Sequence, residues 1–138
     1  MNANPSDFLD TNILVYAFTA DPRAARAQTL LERGCVIGVQ GLNEFVNVAR
    51  RKLLMSWAEI REALCAIRTV CGTIVPIDLE TNGDAVRIAE RYGYALFDAL
   101  MIASALRAGC GILWSEDMQD GFVIDQRLRI ANPFHLTI

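Results

Sequence analysis

Residues 7–18 read DFLDTNILVYAF. Asp7–Leu9 is a short apolar strand, and Ile13–Phe18 opens a helical stretch that breaks at Asp21-Pro22. A strand that passes straight into a helix is the first half of a βα unit. The same succession recurs along the chain. Arg23–Arg33 is a helix with Ala24, Ala27, Leu30 and Leu31 on one face, ended by Gly34. Val36–Val39 is a second strand. Leu42–Leu54 is a helix with an apolar stripe of Leu42, Phe45, Val46, Ala49 and Leu53. Ser56 and Glu59 form a capping box for a helix running to about Cys71. Ile74–Ile77 is a third strand, placed at an edge by Pro76. Helices follow over Leu79–Tyr92 and Phe97–Ala108, then strands over Gly111–Ser115 and near Leu128–Ile130. The expected fold is α/β, with a mostly parallel sheet between helical layers.

A length of 138 residues fits one domain, residues 1–138. Apolar residues make up 53% and charged residues 21%, a surplus that suits a buried element or a protein interface. The charge-free stretches Thr11–Ala20 and Ala99–Leu106 are too short to span a bilayer. Met1–Asp7 has no basic region leading into an apolar core, so a cytoplasmic location is expected. The net charge of −3 speaks against a general polyanion binder but not against a carboxylate site that takes up cations. Twelve arginines accompany a single lysine, Lys52, away from any glycine-rich loop, which excludes a P-loop. Cysteines 35, 65, 71 and 110 form no C-x-x-C pair, and His135 is the only histidine, so a zinc site is not expected. The four thiols read as reduced and buried.

In open parallel sheets the active site lies beyond the carboxyl ends of the strands, so acids at those ends carry the most weight. Asp10 closes the first strand, and it reads either as a helix cap or as a metal ligand. Glu44 lies about 200° from Leu42, opposite the apolar stripe of its helix, facing solvent or a cleft. Asp98 opens the most apolar helix, where N-cap and ligand roles can coexist. Ser115-Glu116-Asp117-Met118-Gln119-Asp120-Gly121 follows a strand. Asp117 is the first choice there, Asp120 the second and Glu116 the third, with Ser115 orienting a ligand or a water. Clustered carboxylates repel one another unless a cation neutralises them. Oxygen donors without His or Cys suit Mg²⁺ or Mn²⁺, and such a site can activate water against a phosphodiester.

Four segments in order, Phe8-Leu9-Asp10-Thr11-Asn12, Leu42-Asn43-Glu44-Phe45, Phe97-Asp98-Ala99-Leu100 and Ser115–Gly121, span nearly the whole chain. With Asn132-Pro133-Phe134 near the end, this set resembles the PIN-domain ribonucleases, and most closely the VapC-type toxins of bacterial toxin–antitoxin pairs. The resemblance implies a three-layer α/β/α fold with a four- or five-stranded parallel sheet. It implies RNA cleavage dependent on Mg²⁺ or Mn²⁺, inhibition by a cognate antitoxin, and a homodimer. By position it makes Asp10, Glu44, Asp98 and Asp117 the acidic residues, with Thr11, Asn12 and Ser115 in support. Phe97 departs from the pattern, since many relatives place Tyr before the third acid.

On this reading Asp10 and Asp98 are the core ligands, Glu44 and Asp117 complete the pocket, and Arg50 and Arg51 hold flanking phosphates. A haloacid-dehalogenase-like phosphatase needs a second Asp where Asn12 stands and a downstream Lys, and a receiver domain needs that Lys too; none follows Lys52. A non-catalytic binding module is the other alternative.

Overall fold

A computed structural model describes residues 7–135. Residues 1–6, where a leader was sought in the sequence, lie outside the described residues. The chain order is β1 (Asp7–Leu9), α1 (Thr11–Tyr16), α2 (Ala24–Glu32), β2 (Cys35–Gly38), α3 (Val39–Arg51), α4 (Trp57–Val70), β3 (Thr73–Val75), α5 (Leu79–Tyr92), α6 (Leu96–Arg107), β4 (Ile112–Trp114), β5 (Val123–Ile124) and β6 (Leu128–Ala131).

The strands form one sheet in the order β3-β2-β1-β4-β6-β5. Every pairing is parallel except that of β5 with β6. The sheet therefore has six strands, not the four or five expected. The extra strand, β5, is only two residues long, too short for a periodicity to register. Its connection to β6 is a tight turn in which Asp125 and Gln126 both take positive φ, 51° and 58°. Asn-Gly or Asp-Gly is the usual signal for such a turn, and it is missing here. Tertiary contacts hold it instead: Arg87 and the Tyr92 hydroxyl both donate to the Asp125 carboxylate, and the Asp125 amide donates back to Tyr92 Oη.

Side chains alternate across the pleat and sort the core into two halves. Phe8, Val36, Leu113 and Ile130 face α5 and α6, and Leu9 and Ile37 face α1 to α4. Helices thus cover both faces in three layers. Helix α6 is buried continuously from Ala99 to Leu106, as its near-absence of polar residues requires. Strand β3 lies at the edge, as Pro76 foretold. The Ser56–Glu59 capping box is formed in both directions.

Helix α3 begins at Val39, three residues before the expected Leu42. Its first turn buries Gln40 and Gly41, which carry no apolar signal. Cys35, Cys71 and Cys110 are buried but Cys65 is exposed, which corrects the expectation of four buried thiols; all four are free. Ala63 faces the core, and Cys65 is about 200° further round the same helix. Among the described residues no helix is long and apolar enough to cross a membrane.

Ile102 is fully buried between α5 and the sheet layer. Ile102→Ala is expected to cost about 2–5 kcal/mol of stability, read as a lower urea midpoint at unchanged slope.

Candidate active site

The chain builds β1, β2 and β3 outward in one direction and then returns to place β4 on the other side of β1. This reversal is a topological switch point, where the loops after neighbouring strands diverge and leave a crevice. The segments after β1 and β4 meet there, with the Asp10 amide donating to Trp114 O at 3.0 Å. A cleft of about 470 Å³ opens at this point, lined by Asp10, Thr11, Asn12, Tyr16, Glu44, Asn47, Lys52, Asp98, Glu116 and Asp117, with Val15 and Val48.

Each acid reaches the cleft from a different element. Asp10 is the N-cap of α1, so the cap reading and the site reading coexist. Its Oδ1 accepts from the Thr11 amide at 2.7 Å, and its Oδ2 accepts from Ser115 Oγ at 2.7 Å. Ser115 is fully buried, and its Oγ also accepts from the Met118 amide, which shapes the turn after β4. Glu44 sits between Thr11 Oγ1, which donates at 2.6 Å, and Gln40 Nε2, which donates at 3.0 Å. Asp117 accepts from Asn12 Nδ2 at 2.8 Å. Asp98 is in the first turn of α6 but does not cap it; Ala95 holds the cap position. The N-cap reading of Asp98 is therefore set aside.

The remaining acids of the β4 loop are occupied by other partners, Glu116 at the cleft wall and Asp120 outside it. Glu116 accepts from Tyr16 Oη at 2.6 Å and from Arg23 Nη1 at 2.7 Å. Arg23 also grips Asp21 and stacks on the Tyr16 ring. Burial, and then the bond to Glu116, push the Tyr16 hydroxyl up to about 12. Asp120 accepts from the Asn132 amide and faces His135 Nδ1 at 3.0 Å, outside the cleft.

Electrostatics mark the same place. Burial pushes the Asp10 carboxyl up to about 6 against the pull of Ser115 and the Thr11 amide, and the charges of Glu44 and Asp98 add to the rise. Asp98 is also raised, first by desolvation and then by the negative charges of Glu44 and Asp117. The four acids line a shared cleft without meeting at a point. Among the described residues no three acidic, His or Cys side chains stand close enough to hold one ion together.

A divalent cation fits the chemistry of this donor set. Its donors are all oxygen, the choice of a hard cation. Asn12 Oδ1 is buried with no hydrogen-bond partner, an acceptor with capacity left for a water. Asp98 is exposed and accepts no hydrogen bond from the described residues, so solvent alone screens it from Glu44 and Asp117.

The sequence reading missed Gln40, Asn47, Tyr16 and Lys52. Gln40, Asn47 and Lys52 lie four before, three after and eight after Glu44, so helical phase was the available signal. Arg50 does not line the cleft; its Nη1 donates to Met55 O and its guanidinium lies over the Trp57 ring. Arg51 is exposed outside the cleft lining.

A family model described as "PIN domain" matches residues 8–120. The chain belongs to the PIN domain family. Solved structures agree on the fold. This PIN domain matches a toxin–antitoxin complex from Klebsiella pneumoniae with TM-score 0.73 at 21% identity, covering 95% of this chain and 100% of that one. It matches VapC20 of Mycobacterium tuberculosis, described as a sarcin–ricin-loop-cleaving toxin, with TM-score 0.64 at 21% identity, covering 81% and 90%. It matches VapBC2 of Rickettsia felis, bound to a DNA fragment from its promoter, with TM-score 0.66 at 18% identity, covering 91% and 97%. Among curated proteins no sequence matches.

The raised Asp10 of this PIN domain has a thermodynamic consequence. A carboxyl with folded pKa above its unfolded value favours folding below the unfolded value, and that contribution is lost as pH rises through the folded pKa. The window here runs from 3.8 to about 6. In excess chelator at pH 8, Asp10→Asn is expected to raise the melting temperature, by up to about 3 kcal/mol of stability. The gain shrinks toward pH 4. Calorimetry of both proteins checks this, and an unchanged or lower melting temperature at pH 8 contradicts a penalised carboxylate.

Proposed function

We propose that this PIN domain is an endoribonuclease dependent on Mg²⁺ or Mn²⁺ and acts as the toxin of a toxin–antitoxin pair. The observation that carries the reading is the arrival of Asp10, Glu44, Asp98 and Asp117 at one switch-point cleft from four separate elements. Repulsion among them costs stability that hydrogen bonds offset only in part and that uptake of positive charge by the cleft relieves.

Asp10 and Asp98 are the principal metal ligands, and Glu44 and Asp117 complete the set directly or through water. A bound divalent cation supplies neutralising charge and acidifies water at the site. The protein's part is positioning. Ser115 and the Thr11 amide lock the two oxygens of Asp10, Thr11 and Gln40 lock Glu44, and Asn12 holds Asp117. Asp117 is the fourth acid, because Asp120 is bonded elsewhere. Glu116 braces the β4 loop through Tyr16 and Arg23. In the reaction water adds to phosphorus, the P–O3′ bond breaks, and the products are a 5′-phosphate and a 3′-hydroxyl carrying the water's second proton.

The partners follow the same reading: an RNA substrate, a cognate antitoxin that covers the cleft, and a second copy of the chain in a homodimer. The neighbours from Klebsiella pneumoniae and Rickettsia felis are toxin–antitoxin assemblies, which supports the antitoxin. A cytoplasmic location suits RNA cleavage in the cell.

The purified chain is expected to cleave cellular RNA with Mg²⁺ or Mn²⁺ and to stop in excess chelator. Asp10→Asn and Asp98→Asn each lower the rate by at least about a hundredfold, since lost outer-shell support alone costs 10–100-fold. End-group analysis should find 5′-phosphates. Retained cleavage in either variant sinks the mechanism. No cleavage together with no stabilisation by Mn²⁺ points to a binding module.

A further inference from the structure

The chain spends its positive charge unevenly, with twelve arginines and Lys52 as its only lysine. That lysine lies at the end of α3, where it is the C-cap and its amide donates to Val48 O at 2.8 Å. A cation at a helix C-terminus is favoured by the helix dipole, so its presence there has a purely structural explanation. The shape of the cleft gives it a second. Glu44, Val48 and Lys52 form one i, i+4, i+8 row, the ridge direction of a helix surface, and with Asn47 they make one wall of the cleft. The wall thus runs from the acidic centre to a lone ammonium.

The cleft lining holds five acids, Asp10, Glu44, Asp98, Glu116 and Asp117, and only one Lys or Arg, which is Lys52. Arg23 lies nearby but is committed to Asp21 and Glu116 at 2.8 and 2.7 Å. The ion pairs of the described residues use Arg23, Arg33, Arg87, Arg107 and His135, and Lys52 is in none. Lys52 is exposed and its charge is uncommitted.

We propose that Lys52 binds a backbone phosphate of the RNA flanking the one that is cut, and that the strand runs along α3 from the acidic centre toward its C-terminus. This rests on the nuclease reading above. Lys52 is a substrate-positioning residue: it anchors the strand and takes no part in bond cleavage. A compact ammonium on a flexible stem suits phosphates whatever the base, so the contact is independent of sequence.

The test uses the full chain with Lys52→Gln and Lys52→Arg, each made also in the Asp98→Asn background for binding without cleavage. Binding of a fluorescein-labelled single-stranded RNA of mixed sequence is read by anisotropy with Mg²⁺ across a salt series. Loss of one charge-assisted contact predicts roughly tenfold weaker binding for Lys52→Gln. The salt slope becomes shallower by about 0.7, the value for one phosphate of a single strand. In cleavage, KM rises by a similar factor while kcat stays within about twofold. Lys52→Arg restores binding and slope. Binding and slope equal to wild type in Lys52→Gln overturn the inference while wild-type cleavage keeps the nuclease reading intact. Weaker binding in Lys52→Gln at an unchanged salt slope, with a lowered melting temperature, shows a capping role and overturns it too. A wild-type chain that neither binds nor cleaves RNA removes the nuclease reading, and this inference with it.

Discussion

Ser115 Oγ donates to Asp10 Oδ2 across the seam between β1 and β4, and both groups are almost wholly buried. The seam joins residues 105 positions apart in sequence. It exists because β4 inserts beside β1, not beside β3, and that insertion creates the switch point. From this contact the rest of the cleft follows. Thr11, next to Asp10, turns toward α3 and takes hold of Glu44. Asn12, one residue on, takes hold of Asp117. Three consecutive residues thus tie together the loops and helices that carry the remaining acids.

The hydrogen bonds also explain how like charges tolerate one another without a cation. Asp10, Glu44 and Asp117 each accept hydrogen bonds that satisfy part of their oxygen capacity. Asp98 receives none from the described residues, and Asp10 is so deeply buried that its donors do not fully offset desolvation. The site therefore stores unfavourable charge within a fold whose two apolar half-cores supply the stability. Such an exchange is common where a group must be ready for chemistry rather than comfortable in the resting protein. Glu116 and Asp120 show the opposite arrangement. Each is fully partnered, Glu116 by Tyr16 and Arg23, and Asp120 by the Asn132 amide and His135. They brace the loop that presents Asp117 between them.

Much of the fold was legible because its signals are local. Phe8 and Leu9 alternate across a pleat, Ser56 and Glu59 close a box, and Ala99–Leu106 admits no solvent-facing side. The sequence was silent where short range carries no information. A two-residue strand has no period, and the positive φ of Asp125 and Gln126 depends on Arg87 and Tyr92 from a distant helix. Gln40 is buried because Glu44 and the Phe97 carbonyl need its amide, which no hydrophobic pattern expresses. Cys65 misled through its apolar neighbours, although its helical phase pointed outward.

The sequence by itself determined the α/β class, the edge position of β3, and that Asp10, Glu44, Asp98 and the acids after β4 deserved notice, because strand periodicity, proline chemistry and helix phase act over a few residues. It left open which acid of 116, 117 and 120 lines the cleft without an ion pair, and it could not tell Lys52 from Arg50 and Arg51. Those choices were made by the tertiary structure. Whether a side chain is left free in a cleft or is taken by a partner depends on what the far ends of the chain bring beside it: Tyr16 and Arg23 bind Glu116 at the cleft wall, Asn132 and His135 draw Asp120 away, and Trp57 holds Arg50 back.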